Sequence, residues 1–128
     1  MKYSGRSLSL TALALVLMSC VRDYRGDKVP SDSGKYELWT TINRTSSDES
    51  DYGLVMVHVQ GKDWKKPVTL DTRAGDAMQW HVGWGNGDTI VLWSSDIGNR
   101  AWVVREKDVV DIPMTSSLNE QADWLKGP

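Results

Sequence analysis

TIVLWSSDIGNRAWVVRE, residues 89–106, carries the clearest hairpin signal in the sequence. Two strongly apolar runs, residues 89–94 and 100–106, flank a short polar segment that ends in Gly98 and Asn99. Glycine and asparagine tolerate the positive φ angles that tight turns require, and valine and tryptophan favour strands. The stretch therefore predicts a β-hairpin and an antiparallel sheet.

Alternation with a period of two continues on the amino-terminal side of this hairpin. KYELWTTIN, residues 35–43, places Leu38 and Ile42 on one face and Trp39 on the other, as in a half-buried strand. YGLVMVHV, residues 52–59, is apolar on both faces, which predicts a central strand. Shorter candidate strands are residues 67–72, 77–82 and 109–112.

The last residues follow a helical pattern instead. Ser117 and Glu120 match a capping box, and Gly127 stands where a helix would end. The apolar residues at helical spacing are Leu118, Ala122 and Leu125. Trp124 is expected to pack this helix against the sheet. The sequence thus predicts an all-β domain of five to seven strands with a short C-terminal helix, arranged as a small antiparallel sandwich or a partly open barrel.

The first twenty residues have a different character. Lys2 and Arg6 precede an apolar run over residues 8–18, and Ser19 stands just before Cys20, the single cysteine of the chain. The run is shorter than the roughly 20 apolar residues that a membrane-spanning helix needs. It resembles the signal peptide of bacterial lipoproteins, with Leu17, Met18, Ser19 and Cys20 in the positions of the lipobox.

This resemblance implies cleavage before Cys20, a diacylglycerol on its thiol, and an acylated amino terminus carrying a chain such as palmitate. Residues 1–19 would then be the signal peptide, residues 20–34 a lipidated tether, and residues 35–128 a single β-rich domain. Val21 is not the aspartate associated with retention at an inner membrane. The resemblance therefore implies the outer membrane, facing the periplasm, in a cell that has one.

Charge and length narrow the function classes. Removal of residues 1–19 takes away two positive charges, so the formal net charge changes from -2 to -4. Nucleic-acid binding calls for a concentrated basic surface, so we expect none. With one cysteine, the chain cannot form an internal disulfide. The length suits one hydrophobic core.

Few residues suggest chemistry. His58 lies between valines and is expected to be a hydrogen-bonded core residue, whereas His81 is expected to face solvent. Asp48, Glu49 and Asp51 offer oxygens for calcium, but their loop lacks the alternating ligands and central glycine of an EF-hand. Motifs for nucleophilic, zinc or phosphate chemistry are absent from the sequence. We expect a non-catalytic domain without a metal or cofactor.

Tryptophan is the main compositional signal, with seven tryptophans and no phenylalanine in 128 residues. Trp80, Trp93 and Trp102 lie in strand patterns and are predicted to fill the core. Trp64 and Trp84 lie in polar, turn-like segments, which favours exposure. Exposed indoles are common at binding hot spots. Packing over the sheet edge is the structural alternative for these two tryptophans and for Trp39.

A third candidate contact is Trp39, on the more polar face of its strand. Three lysines near Trp64 in the sequence form a small basic patch that could steer an acidic partner; they are Lys62, Lys65 and Lys66. These features predict binding of an envelope protein, as in an inhibitor or immunity-type lipoprotein or an accessory subunit. Membrane attachment would be through the lipid on Cys20.

A glycan- or peptidoglycan-binding module is the alternative from another class. Indole faces stack on sugar C–H surfaces, and polar side chains beside them bond to hydroxyl groups. In the two turn-like segments, the side chains suited to that role are Asp63, Asn86 and Asp88.

Overall fold

The computed structural model of the protein describes residues 26–43 and 53–128. In these ranges the chain forms two four-stranded antiparallel sheets and one helix. The first sheet consists of β1 (Val29–Pro30), β2 (Tyr36–Asn43), β3 (Leu54–Gly61) and β4 (Val68–Gly75). The second sheet consists of β5 (Trp80–Trp84), β6 (Thr89–Ser94), β7 (Arg100–Arg105) and β8 (Asp108–Ile112), and α1 (Ser116–Lys126) follows.

The two sheets pack together without closing into a barrel, as in a sandwich. Each sheet is a meander in which strands adjacent in sequence are adjacent in space. The predicted all-β class and the C-terminal helix are therefore confirmed. The predicted hairpin corresponds to β6 and β7, with Val91 opposite Ala101.

The core lies between the inner faces of the two sheets. Alternate residues of β3 are fully buried, because a strand directs successive side chains to opposite faces. The buried core side chains are Leu38, Val55, Val57, Val59, Ala74, Ile90, Leu92, Trp102 and Val104. Full burial of one valine or leucine contributes about 1.5–3 kcal/mol. Packing of these apolar faces is what holds the two sheets together.

The helix forms a third layer on the outer face of the second sheet, against β5 and β6. Its buried residue is Ala122, and a Cβ atom added to Gly83 of β5 would come within 2.7 Å of Leu125 Cδ2. Gly127, with a φ of 80°, ends the helix as predicted. The glycine in β5 therefore allows a close approach between helix and sheet.

The predicted helix N-cap at Ser117 is wrong by two residues. Thr115 is the N-cap, and its Oγ1 accepts a hydrogen bond from the Leu118 backbone N–H at 3.2 Å. Ser117 already lies inside the helix, where its Oγ accepts from Gln121 Nε2. The hydroxyl group of threonine caps a helix in the same way as that of serine. The predicted kind of cap is therefore present, two positions earlier in the chain.

The sequence predicts that residues 20–34 form a tether, but residues 26–34 are folded against the first sheet. Val29 and Pro30 pair with Leu38 and Glu37 as edge strand β1. Ser31 is only 4% exposed. This strand is short and ends in proline, which an edge strand tolerates, so its sequence has no alternation to reveal it. Residues 20–25 lie outside the described residues.

With β1 included, the described residues form eight strands, one more than the predicted five to seven. No helix within residues 26–43 and 53–128 has the length and apolar character needed to cross a membrane.

Candidate functional site

Trp64, in the connection from β3 to β4, is a half-buried link between the two sheets. Its ring lies 5.7 Å from the Tyr36 ring, and its Nε1 donates a hydrogen bond to the Glu106 carbonyl at 3.1 Å. The Gln60 amide donates to the Trp64 carbonyl and fixes the loop from the other side. Trp64 therefore packs over the sheet edge, and only part of its indole faces solvent.

Trp84, at the end of β5, makes the reciprocal link. Its Nε1 donates to the Val29 carbonyl at 2.7 Å, and its ring is half-buried against the core. The polar turn after it suggested exposure from the sequence. The actual position follows from β1, which supplies both a surface for the ring and an acceptor for the N–H.

Trp39 lies on the outer face of the first sheet. It stacks on His58 with ring centroids 5.3 Å apart, and Lys28 Nζ lies 5.0 Å from the indole centroid. His58 Nε2 is 2.7 Å from Thr41 Oγ1, and His58 Nδ1 is 3.0 Å from Thr69 Oγ1. The prediction that His58 is hydrogen-bonded is confirmed. Its predicted place in the core is wrong, because even-numbered residues of β3 face outward.

The structure gathers lysines from three separate segments around Trp64. Because Tyr36 pairs with Gly61, Lys35 lies near Lys62, and the β7–β8 turn brings Lys107 to the same place. The resulting depression of about 510 Å³, which we call the lysine cleft, is lined by Lys35, Tyr36, Lys62, Asp63, Trp64, Glu106 and Lys107. Lys65 and Lys66 are exposed on the same loop as Lys62.

The charge of the lysine cleft is available to a ligand. Its charged lining comprises three lysines and two acids, all exposed. Across the described residues, Lys35, Lys62 and Lys107 make no ion pair within 4 Å. Because the lysines outnumber the acids by one and form no ion pair, the cleft presents a net positive charge to an approaching molecule. Neither Lys35 nor Lys107 was found from the sequence, because only the strand register brings them to Lys62.

A second concave surface lies between α1 and the β5–β6 loop. This helix cleft, of about 420 Å³, includes Trp84, Asn86, Asp32, Glu120 and Trp124 in its lining. The Asn86 backbone N–H donates to Gln121 Oε1 at 2.8 Å, which joins the loop to the helix. Two of the predicted contact residues, Trp84 and Asn86, thus lie together here.

Asp88 lies at the end of the same loop and has a structural partner. Its Oδ1 accepts a hydrogen bond from Ser33 Oγ at 2.8 Å, and its φ of 54° is in the left-handed region. The contact joins the β5–β6 loop to the turn after β1. Asp88 therefore helps hold the two sheets in place.

The predicted role of Trp124 is also wrong. It is 87% exposed, whereas the sequence predicts that it packs the helix against the sheet. A helix rotates 100° per residue, so Trp124 lies about 200° from the buried Ala122, on the opposite side of the helix. The sequence contained this information, because Leu118, Ala122 and Leu125 recur at helical spacing on one face and Trp124 falls outside that face.

Cys20 and the acidic residues Asp48, Glu49 and Asp51 lie outside the described residues. Within residues 26–43 and 53–128, no group of three or more histidine, cysteine, aspartate or glutamate side chains is placed to hold a metal ion. The candidate sites of the described domain are thus the lysine cleft, the helix cleft and the Trp39 surface.

Comparison of the chain with models of known protein families, with curated proteins and with solved structures finds no match.

Proposed function

We propose that the chain is a membrane-anchored envelope lipoprotein whose non-catalytic β-domain binds an acidic protein partner at the lysine cleft. The observation that carries this proposal is the convergence of Lys35, Lys62 and Lys107 around the half-buried Trp64. A positive rim around an aromatic floor combines long-range attraction with a surface that can be desolvated. An inhibitor or immunity-type protein and an accessory subunit would each use such a surface to bind another protein.

The charge balance favours a protein over a nucleic acid as the acidic partner. The whole chain has a formal net charge of -2, so its surface would repel a long polyanion away from the cleft. Five lysines at positions 35, 62, 65, 66 and 107 form a local positive surface instead. Such a patch matches an acidic patch of similar size on a folded partner.

The glycan alternative is less well supported by Trp64 and Trp84. Sugar stacking needs an open indole face, and both rings are half-buried with their N–H groups bonded to backbone carbonyls. Their roles in joining the sheets leave only part of each ring for a ligand.

The position of the cleft also suits an anchored protein. The Gly26 backbone N–H donates to the Thr40 carbonyl, so the described chain begins beside the later part of β2. Lys35 and Tyr36 lie at the opposite end of that strand. Five residues lie between Cys20 and Gly26, and the six Cα–Cα steps that join them reach at most about 20 Å. A lipid on Cys20 would hold the domain near the membrane with the lysine cleft at the far end.

Affinity capture from detergent-solubilised membranes tests the binding proposal. The wild-type chain is compared with a variant carrying Lys35→Glu, Lys62→Glu and Lys107→Glu. We expect one acidic protein to co-purify with the wild type and to be lost from this variant. Arg73→Glu is the matched control, because Arg73 lies on β4 with a side chain 75% exposed and lies outside the cleft lining. Capture that survives the triple reversal would refute the lysine cleft as the binding surface.

Membrane attachment is tested separately. We expect mass spectrometry of the native protein to show a chain that begins at Cys20 and carries acyl groups, and Cys20→Ala to release it from the membrane fraction. An unmodified thiol would refute the anchor and leave the binding proposal standing.

A further inference from the structure

Trp124 differs from every other tryptophan of the chain in its contacts. Lysine or arginine groups lie about 5 Å from the rings of three tryptophans, Trp39, Trp93 and Trp102. The indole N–H groups of three more, Trp64, Trp80 and Trp84, donate hydrogen bonds. Within the described residues, Trp124 has neither kind of contact and is 87% exposed. Its indole is therefore open to a group from another molecule.

The surroundings of Trp124 are acidic. The ionisable side chains that line the helix cleft are Asp32 and Glu120, and Asp123 lines a second depression that also includes Trp124. Among the described residues, neither Asp32 nor Glu120 has a side-chain hydrogen bond or an ion pair. Lysine, arginine and histidine are absent from the lining of both depressions. An aromatic face and unpaired carboxylates together complement a cation.

We propose that the helix cleft binds an arginine side chain of a partner polypeptide. The planar guanidinium would lie on the Trp124 indole, while its N–H groups donate to the carboxylate of Asp32 or Glu120. Arginine suits this site better than lysine, because its planar guanidinium stacks on an aromatic ring and its N–H groups match a carboxylate. The chain already uses this pairing internally, where the Arg100 guanidinium lies 4.9 Å from the Trp102 ring centroid and bonds to Asp111.

This inference is independent of the proposed function. Trp124, Asp32 and Glu120 contribute nothing to the lysine cleft, whose lining comes from the β1–β2, β3–β4 and β7–β8 connections. The two clefts also have opposite charge preferences. Loss of arginine binding would leave the acidic partner of the lysine cleft unaffected, and the reverse also holds.

Calorimetric titration of the full purified chain with a capped tetra-arginine peptide tests the inference. A capped tetra-citrulline peptide is the matched probe, because citrulline keeps the shape of arginine and lacks its charge. We expect the arginine peptide to bind and the citrulline peptide to bind at least tenfold more weakly, in line with hydrogen bonds to charged groups.

Three variants locate the binding surface. Trp124→Ala should weaken arginine binding by about fivefold, and the pair Asp32→Asn with Glu120→Gln by about tenfold. Asp63→Asn removes an acid from the lysine cleft instead and should leave the affinity unchanged. Because these four side chains are exposed or at the surface, circular dichroism should show the same fold in each variant.

Three results would overturn the inference. The first is equal affinity of Trp124→Ala and wild type for the arginine peptide. The second is a loss of affinity in Asp63→Asn that equals the loss in the Asp32/Glu120 pair per charge removed, which would mean attraction to overall negative charge. The third is Trp124-dependent binding of a neutral chitooligosaccharide with no binding of the arginine peptide, which would make the cleft a glycan site.

Discussion

The Trp84 indole donates a hydrogen bond to the Val29 carbonyl at 2.7 Å, and this contact joins the second sheet to the edge strand of the first. Trp64 makes the corresponding contact in the other direction. From a loop of the first sheet, its indole N–H donates to the carbonyl of Glu106, in the β7–β8 turn of the second sheet. Apolar packing between sheets has no preferred direction, whereas a hydrogen bond fixes position. The two indoles therefore set how one sheet lies on the other.

Replacement of Trp84 by phenylalanine should lower the free energy of unfolding by about 1 kcal/mol. Phenylalanine keeps an aromatic ring in the half-buried position but leaves the Val29 carbonyl without its donor. Urea denaturation followed by circular dichroism measures the change. Trp124→Phe is the control, because the exposed Trp124 has no such bond, and its effect should be near zero. Equal effects of the two substitutions would contradict a structural role for the bond.

Alanine substitutions should show that Thr115, and not Ser117, is the N-cap of α1. Thr115→Ala should destabilise the protein by about 1 kcal/mol, because the Leu118 N–H loses its acceptor. Ser117→Ala should have a smaller effect, since Ser117 only accepts a bond from the partly exposed Gln121 side chain. Thermal unfolding of the two variants provides the comparison. A larger effect at Ser117 would support the capping box that the sequence suggests.

The sandwich strands were predictable because turn residues and runs of β-branched residues mark them in the sequence. The β6–β7 hairpin and the buried β3 show this most clearly, since one is marked by a turn and the other by valines. Strand β1 was not predictable, because two residues ending in proline carry no period, and only pairing with Leu38 makes them a strand. Its absence from the prediction also led Trp84 to be interpreted as exposed.

The candidate sites were less predictable, because they depend on register and on rotation about the helix axis. Lys62 was identified from its loop, but Lys35 and Lys107 lie 27 and 45 residues away in sequence and join it only through strand pairing. The sequence prediction placed Trp124 on the buried side of α1, although its angular offset of about 200° from the buried Ala122 places it on the exposed side. A helical-wheel comparison would have identified it as the exposed indole.

Arg100 also joins the two sheets, and a change to lysine should weaken this contact. Its Nη1 donates to the Thr72 carbonyl at 3.2 Å, and its Nη2 to Asp111 Oδ2 at 2.5 Å, while the guanidinium covers Trp102. Lysine cannot make these contacts at once, since it lacks the planar fork. Arg100→Lys should cost about 1 kcal/mol, because the side chain is partly exposed. Unchanged stability in urea denaturation would show that the charge alone is sufficient.

Close packing between Gly83 and Leu125 should appear as an energetic coupling between the two residues. A Cβ at position 83 would come within 2.7 Å of Leu125 Cδ2, so Gly83→Ala should force the leucine to move and cost about 1–2 kcal/mol. Leu125→Ala alone removes apolar contact between α1 and β5 and should also destabilise the protein.

The double variant tests this contact directly. With alanine at both positions, the added methyl group occupies space that the leucine has left, so the combined loss should be smaller than the sum of the single losses by about 1 kcal/mol. Urea denaturation of the four proteins completes the cycle. Additive losses would mean that the helix shifts away from β5 in Gly83→Ala, and the predicted close contact would then be absent in solution.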